Sequence, residues 1–165
     1  MKKLTLIRHA KSSWDDPSLS DFDRPLNKRG QKDLPPMAER VASQLPQADL
    51  ILSSGAKRAR ATAEEVITRQ LDAPIAFVPE LYESCYETLL NVLQSQSDRH
   101  KHLMVVGHNP GLEQLAYYLT HESQAKFPTA AVAHIDISVR SWTELAESCG
   151  TLSWFDYPKK HPPYA

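Results

Sequence analysis

Residues 4–9, LTLIRH, decide the fold, because a short apolar run ends in Arg8 and is followed by His9. An apolar run of this length predicts a buried strand. Two later apolar runs are also followed by polar residues. Residues 50–52 come before Ser53, Ser54 and Arg58, and residues 103–106 come before Gly107 and His108. Open α/β sheets keep their active sites at the carboxyl ends of their strands. We therefore expect two arginines and two histidines to meet at one edge.

These four side chains suit a phosphoryl group. The guanidinium groups of Arg8 and Arg58 are planar and always cationic, and each donates paired hydrogen bonds to phosphate oxygens. An imidazole is nucleophilic when neutral and a hydrogen-bonding cation when protonated. We predict that neutral His9 attacks phosphorus to form a phosphohistidine that water hydrolyses. A cationic His108 and the arginines then stabilise the transferring group, and this chemistry needs neither a metal nor an organic cofactor.

Four segments carry a family resemblance, and they are residues 6–10 (LIRHA), 24–30 (RPLNKRG), 54–63 (SGAKRARATA) and 106–111 (VGHNPG). Their pattern and order resemble the histidine phosphatase (phosphoglycerate-mutase-like) superfamily, and within it the SixA-type phosphohistidine phosphatases. The match spans most of the chain. One departure is Ala10, where the wider superfamily usually has Gly. Ala is the next smallest residue, and it still allows backbone close to a phosphate if its φ is negative.

The resemblance implies an α/β fold, a three-layer α/β/α sandwich whose mostly parallel sheet ends in an antiparallel edge hairpin. It selects Arg58 over the neighbouring Lys57 and Arg60, for which a solvated helix start is the plain alternative. It also places the family's proton donor at Glu83, with Glu80 as the fallback. Either carboxylate is equally compatible with an ordinary exposed position, because Glu is seldom buried.

Four further polar side chains are candidates for contacting the phosphate or the substrate backbone, and they are Lys11, Ser12, Arg24 and Thr129. Each is as compatible with a simple surface position as with binding. Trp14 fits either an aromatic lid over the site or ordinary packing. These five residues are the outer part of the predicted site.

The remaining histidines are not predicted to have a role. His100 and His102 have His-x-His spacing, but without a third ligand nearby a solvated turn is favoured over a metal site. His121, His134 and His161 occur in no functional context. We predict no metal site in this chain.

Composition narrows the class of protein. The chain has 165 residues, so we expect one domain over residues 1–165. Charged residues make up 24% of the chain and its formal net charge is −1, so we expect no general attraction to nucleic acid or anionic membrane. The first apolar run is too short for a signal peptide. Cys85 and Cys149 lack metal-binding or paired spacing, which favours reduced thiols in a cytoplasmic protein. We expect a monomer.

Apolar runs alternate with helical patterns, which indicates βαβ units and a parallel sheet. The expected strands are residues 3–7, 49–53, 75–78 and 103–107, with an edge hairpin over 131–139 and 150–157. The expected helices begin near residue 28, capped by Asn27, and cover residues 57–71, 85–93 and a segment after 111. Pro35 and Pro36 are expected to split the first helix, and residues 159–165 to form a loose end.

We interpret the chain as a phosphatase acting through phospho-His9. The resemblance implies phosphohistidine on a protein, such as a phosphotransfer domain, as the substrate, with a phosphomonoester as the broader possibility. A small-metabolite phosphatase or a phosphomutase is the rival among enzymes, although mutases that resemble this superfamily carry larger insertions. From another class, the chain is compatible with a phosphate-binding interaction module that lacks catalysis. The presence of both histidines and both arginines argues against that module.

Overall fold

The structure is a computed structural model that describes residues 1–70, 72–123 and 126–164. Within these residues six strands form one sheet, and they are β1 (Lys2–Arg8), β2 (Leu50–Ser53), β3 (Ile75–Phe77), β4 (His102–Gly107), β5 (Val132–Ile137) and β6 (Gly150–Asp156). Their order across the sheet is β3-β2-β4-β1-β5-β6. Strands β1 to β4 pair in parallel, whereas β5 and β6 are antiparallel. The predicted sheet with its edge hairpin is confirmed.

Helices cover both faces of this sheet, and they are α1 (Lys28–Gln44), α2 (Lys57–Ile67), α3 (Tyr86–Gln94) and α4 (Gly111–Thr120). Side chains alternate between two cores along β1, where Leu4 and Leu6 pack with α3 and α4 while Ile7 packs with α1 and α2. Because successive residues of a strand point to opposite faces, a continuously apolar strand fills both cores. The three-layer α/β/α sandwich is therefore confirmed.

Helix α1 is continuous through Pro35 and Pro36, so the predicted split is wrong. Both prolines are exposed, whereas Leu34, Met37 and Ala38 face the core. A proline removes a helical hydrogen bond, but on the exposed face water can pair with the freed carbonyl. Burial of the opposite face then holds the two halves in one helix.

The start of α1 fixes the loop that follows β1. The side-chain oxygen of Asn27 accepts a hydrogen bond from the Gly30 amide at 2.8 Å, as the predicted cap requires. A Cβ at Gly30 would clash with the carbonyl of Lys11. Only glycine allows this close approach, so the helix start packs directly on the backbone just beyond His9.

Two chain segments differ from the expected ones. Helix α2 ends at Ile67, and its expected last residue, Leu71, lies outside the described residues. The expected loose end is packed at least as far as Tyr164, whose hydroxyl donates to Asp33 Oδ1 at 3.0 Å. A short 3-10 helix covers Pro158–Lys160.

In the part of the chain that the structure describes, no helix has the length and apolar character needed to cross a membrane.

Candidate active site

A cavity of about 390 Å³ lies at the carboxyl ends of β1, β2 and β4. The structure brings the predicted catalytic side chains together in its wall, and these are Arg8, His9, Arg58, Glu83 and His108. The imidazole rings of His9 and His108 have centroids 5.1 Å apart. The expected meeting of two arginines and two histidines at one edge of the sheet therefore occurs.

His9 is held with one ring nitrogen open to chemistry. Its Nδ1 lies 2.7 Å from the carbonyl oxygen of Ala10, and since a carbonyl only accepts, Nδ1 carries the proton. Burial, with the nearby positive charges of Arg58 and Arg8, lowers the pKa of His9 to about 3. At neutral pH the ring is thus neutral, and its Nε2 keeps a lone pair that no hydrogen bond uses within the described residues.

The charge of His108 depends on what the cavity holds. Burial and the guanidinium of Arg58 lower the pKa of His108 to about 4, so at neutral pH the ring is neutral, and the predicted cation requires the phosphoryl group. Arg58 Nη2 lies 3.5 Å from Nδ1 of His108, and Nε2 of the same ring lies 2.9 Å from the Ser54 hydroxyl oxygen. Desolvation next to a fixed cation disfavours a second positive charge. A dianionic phosphoryl group in the cavity would reverse that balance.

Two arginines line the cavity, and the surrounding chain anchors each of them. Arg8 donates to the Phe127 carbonyl at 3.0 Å, and Arg58 donates to Asp21. The Nε atoms of both arginines are buried and have no hydrogen-bond partner among the described residues. Both guanidinium groups nevertheless line the cavity as fixed cations, and such a group donates paired hydrogen bonds to phosphate oxygens. This supports an anion site between Arg8 and Arg58.

Thr62 explains the spacing of the Arg-Ala-x-x-Thr segment. Its hydroxyl donates to the Arg58 carbonyl at 2.8 Å and accepts from the Ala10 amide at 3.0 Å. One side chain thus joins the first turn of α2 to the backbone beside His9. Ala10 is buried and does not have a positive φ, so alanine is tolerated at this position without strain.

Asp21 is a site residue that the sequence analysis missed. Its Oδ2 accepts from Arg58 Nη2 at 3.0 Å and from the Tyr82 hydroxyl at 2.6 Å. Although burial acts to raise it, the hydrogen bonds from Tyr82 and Arg58 hold the pKa of Asp21 well below its usual range. It supplies the anion that offsets the cation at the start of α2. No sequence signal marks it apart from its position three residues before Arg24.

Glu83 lies on the exposed rim of the cavity with a positive φ of 48°. Its hydrogen bond with Asp21, together with burial, raises the pKa of Glu83. The carboxylate of Asp21 therefore favours a protonated Glu83. Glu80 is exposed on a 3-10 helix, Pro79–Leu81, and does not line the cavity. The geometry distinguishes the two carboxylates that the sequence left as alternatives.

The outer candidates all line the cavity, and these are Lys11, Ser12, Arg24 and Thr129. Arg24 is buried, and its donors are taken by Asp21 at 3.1 Å, Ser12 at 2.8 Å and the Ser13 carbonyl at 3.2 Å. It holds the loop wall in place and has little left to offer a substrate.

Trp14 and the basic neighbours of Arg58 have distinct positions. Trp14 also lines the cavity, is 75% exposed and stacks on the Arg24 guanidinium at 3.5 Å, which makes it a rim aromatic rather than a packed one. Lys57 is exposed, and Arg60 stacks on Phe77 at 3.8 Å. Neither of these two cations lines the cavity.

Comparisons with known proteins agree with this geometry. The sequence model of the histidine phosphatase superfamily (branch 1) matches residues 4–92. An uncharacterized chloroplast protein of Arabidopsis thaliana is 36% identical over 165 residues, which cover 93% of this chain and 74% of that protein. A solved protein of Agrobacterium tumefaciens, assigned as the phosphohistidine phosphatase SixA, is 30% identical with a TM-score of 0.83, covering 95% of this chain and 98% of that one. The protein histidine phosphatase SixA complexed with tungstate is 25% identical with a TM-score of 0.80, covering 96% and 98%.

Proposed function

The chain belongs to the histidine phosphatase superfamily and is a phosphatase with a histidine nucleophile, and from this premise we propose that it hydrolyses phosphohistidine on a protein through a covalent intermediate on His9. The observation that carries the proposal is the state of His9. Its Nδ1 proton is fixed on the Ala10 carbonyl, its ring is neutral at physiological pH, and the guanidinium groups of Arg8 and Arg58 line the same cavity. A neutral, oriented imidazole beside an anion site is what in-line attack on phosphorus requires.

The first step forms a nitrogen–phosphorus bond. His9 Nε2 attacks phosphorus as the bond to the leaving group breaks, and the leaving group departs with the electron pair of that bond. Arg8 and Arg58 hold the phosphoryl oxygens and offset their charge, which is the main catalytic contribution in phosphoryl transfer. His108 gains a proton more easily once the dianion is bound, and it then donates to the same oxygens.

The second step returns the enzyme to its starting state. Water attacks the phosphorus of phospho-His9, the nitrogen–phosphorus bond breaks, and the electron pair returns to Nε2. Inorganic phosphate leaves with the proton balance completed by solvent or by Glu83. The raised pKa of Glu83 suits it to protonate a leaving group in the first step and to accept a proton from water in the second.

Phosphohistidine is favoured as the substrate because of the leaving group and the open rim. Imidazole departs readily once protonated, so it makes a modest demand on an exposed donor such as Glu83. The likeness to SixA-type phosphatases points the same way.

We also propose a cytoplasmic location, since Cys85 and Cys149 are both free and free thiols are typical of a reducing compartment.

Rapid-quench labelling tests the proposal. A histidine phosphotransfer domain labelled with ³²P on its histidine is mixed with the enzyme and quenched in base, and peptide mapping locates the label. We expect an acid-labile, base-stable phosphate on His9, followed by release of inorganic phosphate. Label on His108 would reverse the assignment of the nucleophile. Turnover of p-nitrophenyl phosphate without turnover of the labelled protein would leave a phosphatase but remove the phosphohistidine substrate.

A further inference from the structure

A second groove opens directly beside the catalytic cavity. Its volume is about 720 Å³, and it shares Arg8, Lys11 and Thr129 with that cavity. The rim of the catalytic cavity at Arg8, Lys11 and Thr129 is therefore also an edge of this groove. The chemistry proposed above gives the groove no task.

The groove is strongly basic. Six side chains among its described lining are cationic, and they are Arg8, Lys11, Arg29, Lys126, Lys159 and Lys160. No carboxylate occurs in that described lining. The whole chain has 19 Lys and Arg against 20 Asp and Glu, so a groove with cations alone is a local concentration of positive charge. Such a concave surface attracts anions and speeds their association.

Three exposed cations of the groove lie outside the catalytic cavity, and they are Lys126, Lys159 and Lys160. Lys159 and Lys160 are carried into place by the packed C-terminal segment, which is held by the hydrogen bonds from Tyr164 to Asp33 and between His161 and Asp156. Lys160 donates to the Phe155 carbonyl at 3.0 Å. Within the described residues, neither Lys126 nor Lys159 forms an ion pair.

Resting on the proposed function, we propose that this basic groove docks acidic side chains that flank the phosphohistidine of the substrate protein. Lysine ammonium groups are flexible point charges rather than rigid forks, so they fit carboxylates spread over a protein surface. Arg29, which carries the groove's fork-shaped group outside the catalytic cavity, is already turned toward Asp33 at 3.5 Å and the Tyr164 ring at 5.2 Å. The open lysines therefore favour dispersed carboxylates over a second phosphate group.

Two peptides of equal length test the inference. Each carries one histidine phosphorylated with phosphoramidate, flanked by glutamates in one peptide and by glutamines in the other. We expect the wild-type kcat/KM for the glutamate peptide to exceed that for the glutamine peptide by roughly tenfold at low salt, and the ratio to fall as salt screens the charges. In Lys126→Glu/Lys159→Glu the ratio should drop to one or below, with p-nitrophenyl phosphate turnover within about twofold of wild type.

The matched control is Arg99→Glu/Lys101→Glu. Both residues are exposed and precede the amino end of β4, a strand length of roughly 20 Å from the catalytic cavity. The control changes the net charge by the same amount, so it should keep the wild-type peptide ratio. An equal ratio in all three proteins would overturn the inference.

Two other outcomes separate the possible failures. If neither peptide is hydrolysed while p-nitrophenyl phosphate is, the proposed function fails, and the groove inference fails with it. If the groove variant loses turnover of a small bisphosphate while its peptide ratio stays at the wild-type value, the groove binds a second phosphate group and the inference is wrong.

Discussion

Two pairs of buried histidines lie in this molecule at almost the same spacing. The rings of His9 and His108 have centroids 5.1 Å apart, and those of His102 and His134 are 5.2 Å apart. Strand β4 connects the pairs, because it begins at His102 and is followed by His108. Burial is the largest cause that lowers the pKa of all four rings. Proximity and neutrality therefore do not distinguish the site pair from the core pair.

The pairs differ in what their nitrogens do. In the core pair, Thr5 Oγ1 lies 2.7 Å from both His102 Nε2 and His134 Nδ1, and His102 Nδ1 lies 3.2 Å from the Gln47 carbonyl. The carbonyl fixes His102 Nδ1 as a donor, so Thr5 donates to Nε2 and accepts from His134. In the site pair, His9 Nε2 has no hydrogen-bond partner among the described residues, and Arg8 and Arg58 line the same cavity. A buried histidine becomes a candidate nucleophile when its second nitrogen is left open next to an anion site.

The largest expected effects come from one mutation in each pair, because one should abolish catalysis and the other should lower stability. His9→Ala should lower kcat by at least about 10⁴-fold, because the covalent step is lost, while the free energy of unfolding stays close to wild type. Thr5→Val should do the opposite. It leaves two buried ring nitrogens without a hydrogen-bond partner, which should lower the free energy of unfolding by about 2–4 kcal/mol. At a temperature where the variant remains folded, kcat should be unchanged.

Urea denaturation and p-nitrophenyl phosphate kinetics on both variants check this pair of outcomes. Thr5→Ser is the control, since it keeps the hydroxyl that joins His102 to His134. A loss of kcat in a folded Thr5→Val protein would show that the core pair contributes to catalysis and that the contrast between the pairs is false.

The next effect concerns the acid beside the site pair. Glu83→Gln should reduce turnover of alkyl phosphates by roughly 10²–10³-fold and of phosphohistidine far less, because general acid help matters most for poor leaving groups. Asp21→Asn removes the carboxylate whose hydrogen bond and negative charge raise the pKa of Glu83. Since activity on alkyl phosphates is lost as pH rises through that pKa, the alkaline limb of the profile should move to lower pH.

Glu80→Gln is the control and should leave the profile unchanged. Equal losses of Glu83→Gln on alkyl phosphate, p-nitrophenyl phosphate and phosphohistidine would mean that Glu83 shapes the rim without transferring a proton. An unmoved alkaline limb in Asp21→Asn would mean that the Asp21 carboxylate does not tune Glu83.

The sequence predicts what depends on strand ends and misses what depends on loops and the chain terminus. The positions of Arg8, His9 and His108 follow from apolar strands that deliver their next residue to one edge of a parallel sheet. Asp21 was missed because its place in the site depends on a loop fold and on contacts with Tyr82 and Arg58, far apart in sequence. The packed terminal segment was missed because a proline-rich tail has no periodicity, and the interaction that fixes it is the hydroxyl of Tyr164 on Asp33.

The charge of His108 shows another limit of the sequence. A strand-end histidine next to a glycine gives its position but not its pKa, which depends on burial and on the distance to Arg58. The same holds for His134, which the sequence left without a role and which the structure places in the core beside His102. The solvated turn expected at His102 is wrong, because that ring is buried at the start of β4. Contacts between distant segments decide which of two similar histidine pairs remains open.

The smallest expected effect is a difference in acid sensitivity between the pairs. Burial, together with repulsion from Lys3 and from His102 when that ring is protonated, and despite Asp136, lowers the pKa of His134 to about 4, against about 6.5 in an unfolded chain. Between these values the unfolded state binds more protons, so the free energy of unfolding falls as pH falls from about 6.5 to 4. His134→Asn keeps an amide donor toward Thr5 but removes the titration. The free energy of unfolding of this variant, measured by urea denaturation, should therefore depend less on pH, by up to about 1.4 kcal/mol per pH unit.

Inorganic phosphate separates the core pair from the site pair in the same measurement. Phosphate bound between Arg8 and Arg58 adds negative charge beside His108, which raises the pKa of that ring toward its unfolded value and reduces the site pair's share of the acid loss. The core pair lies away from the anion, so the difference between wild type and His134→Asn should persist at saturating phosphate. If phosphate removes that difference, the two pairs titrate as one unit through β4. The assignment of separate roles to the two pairs would then be wrong. The hydrogen bonds that Thr5 forms with His102 and His134 would not isolate the core pair from the site.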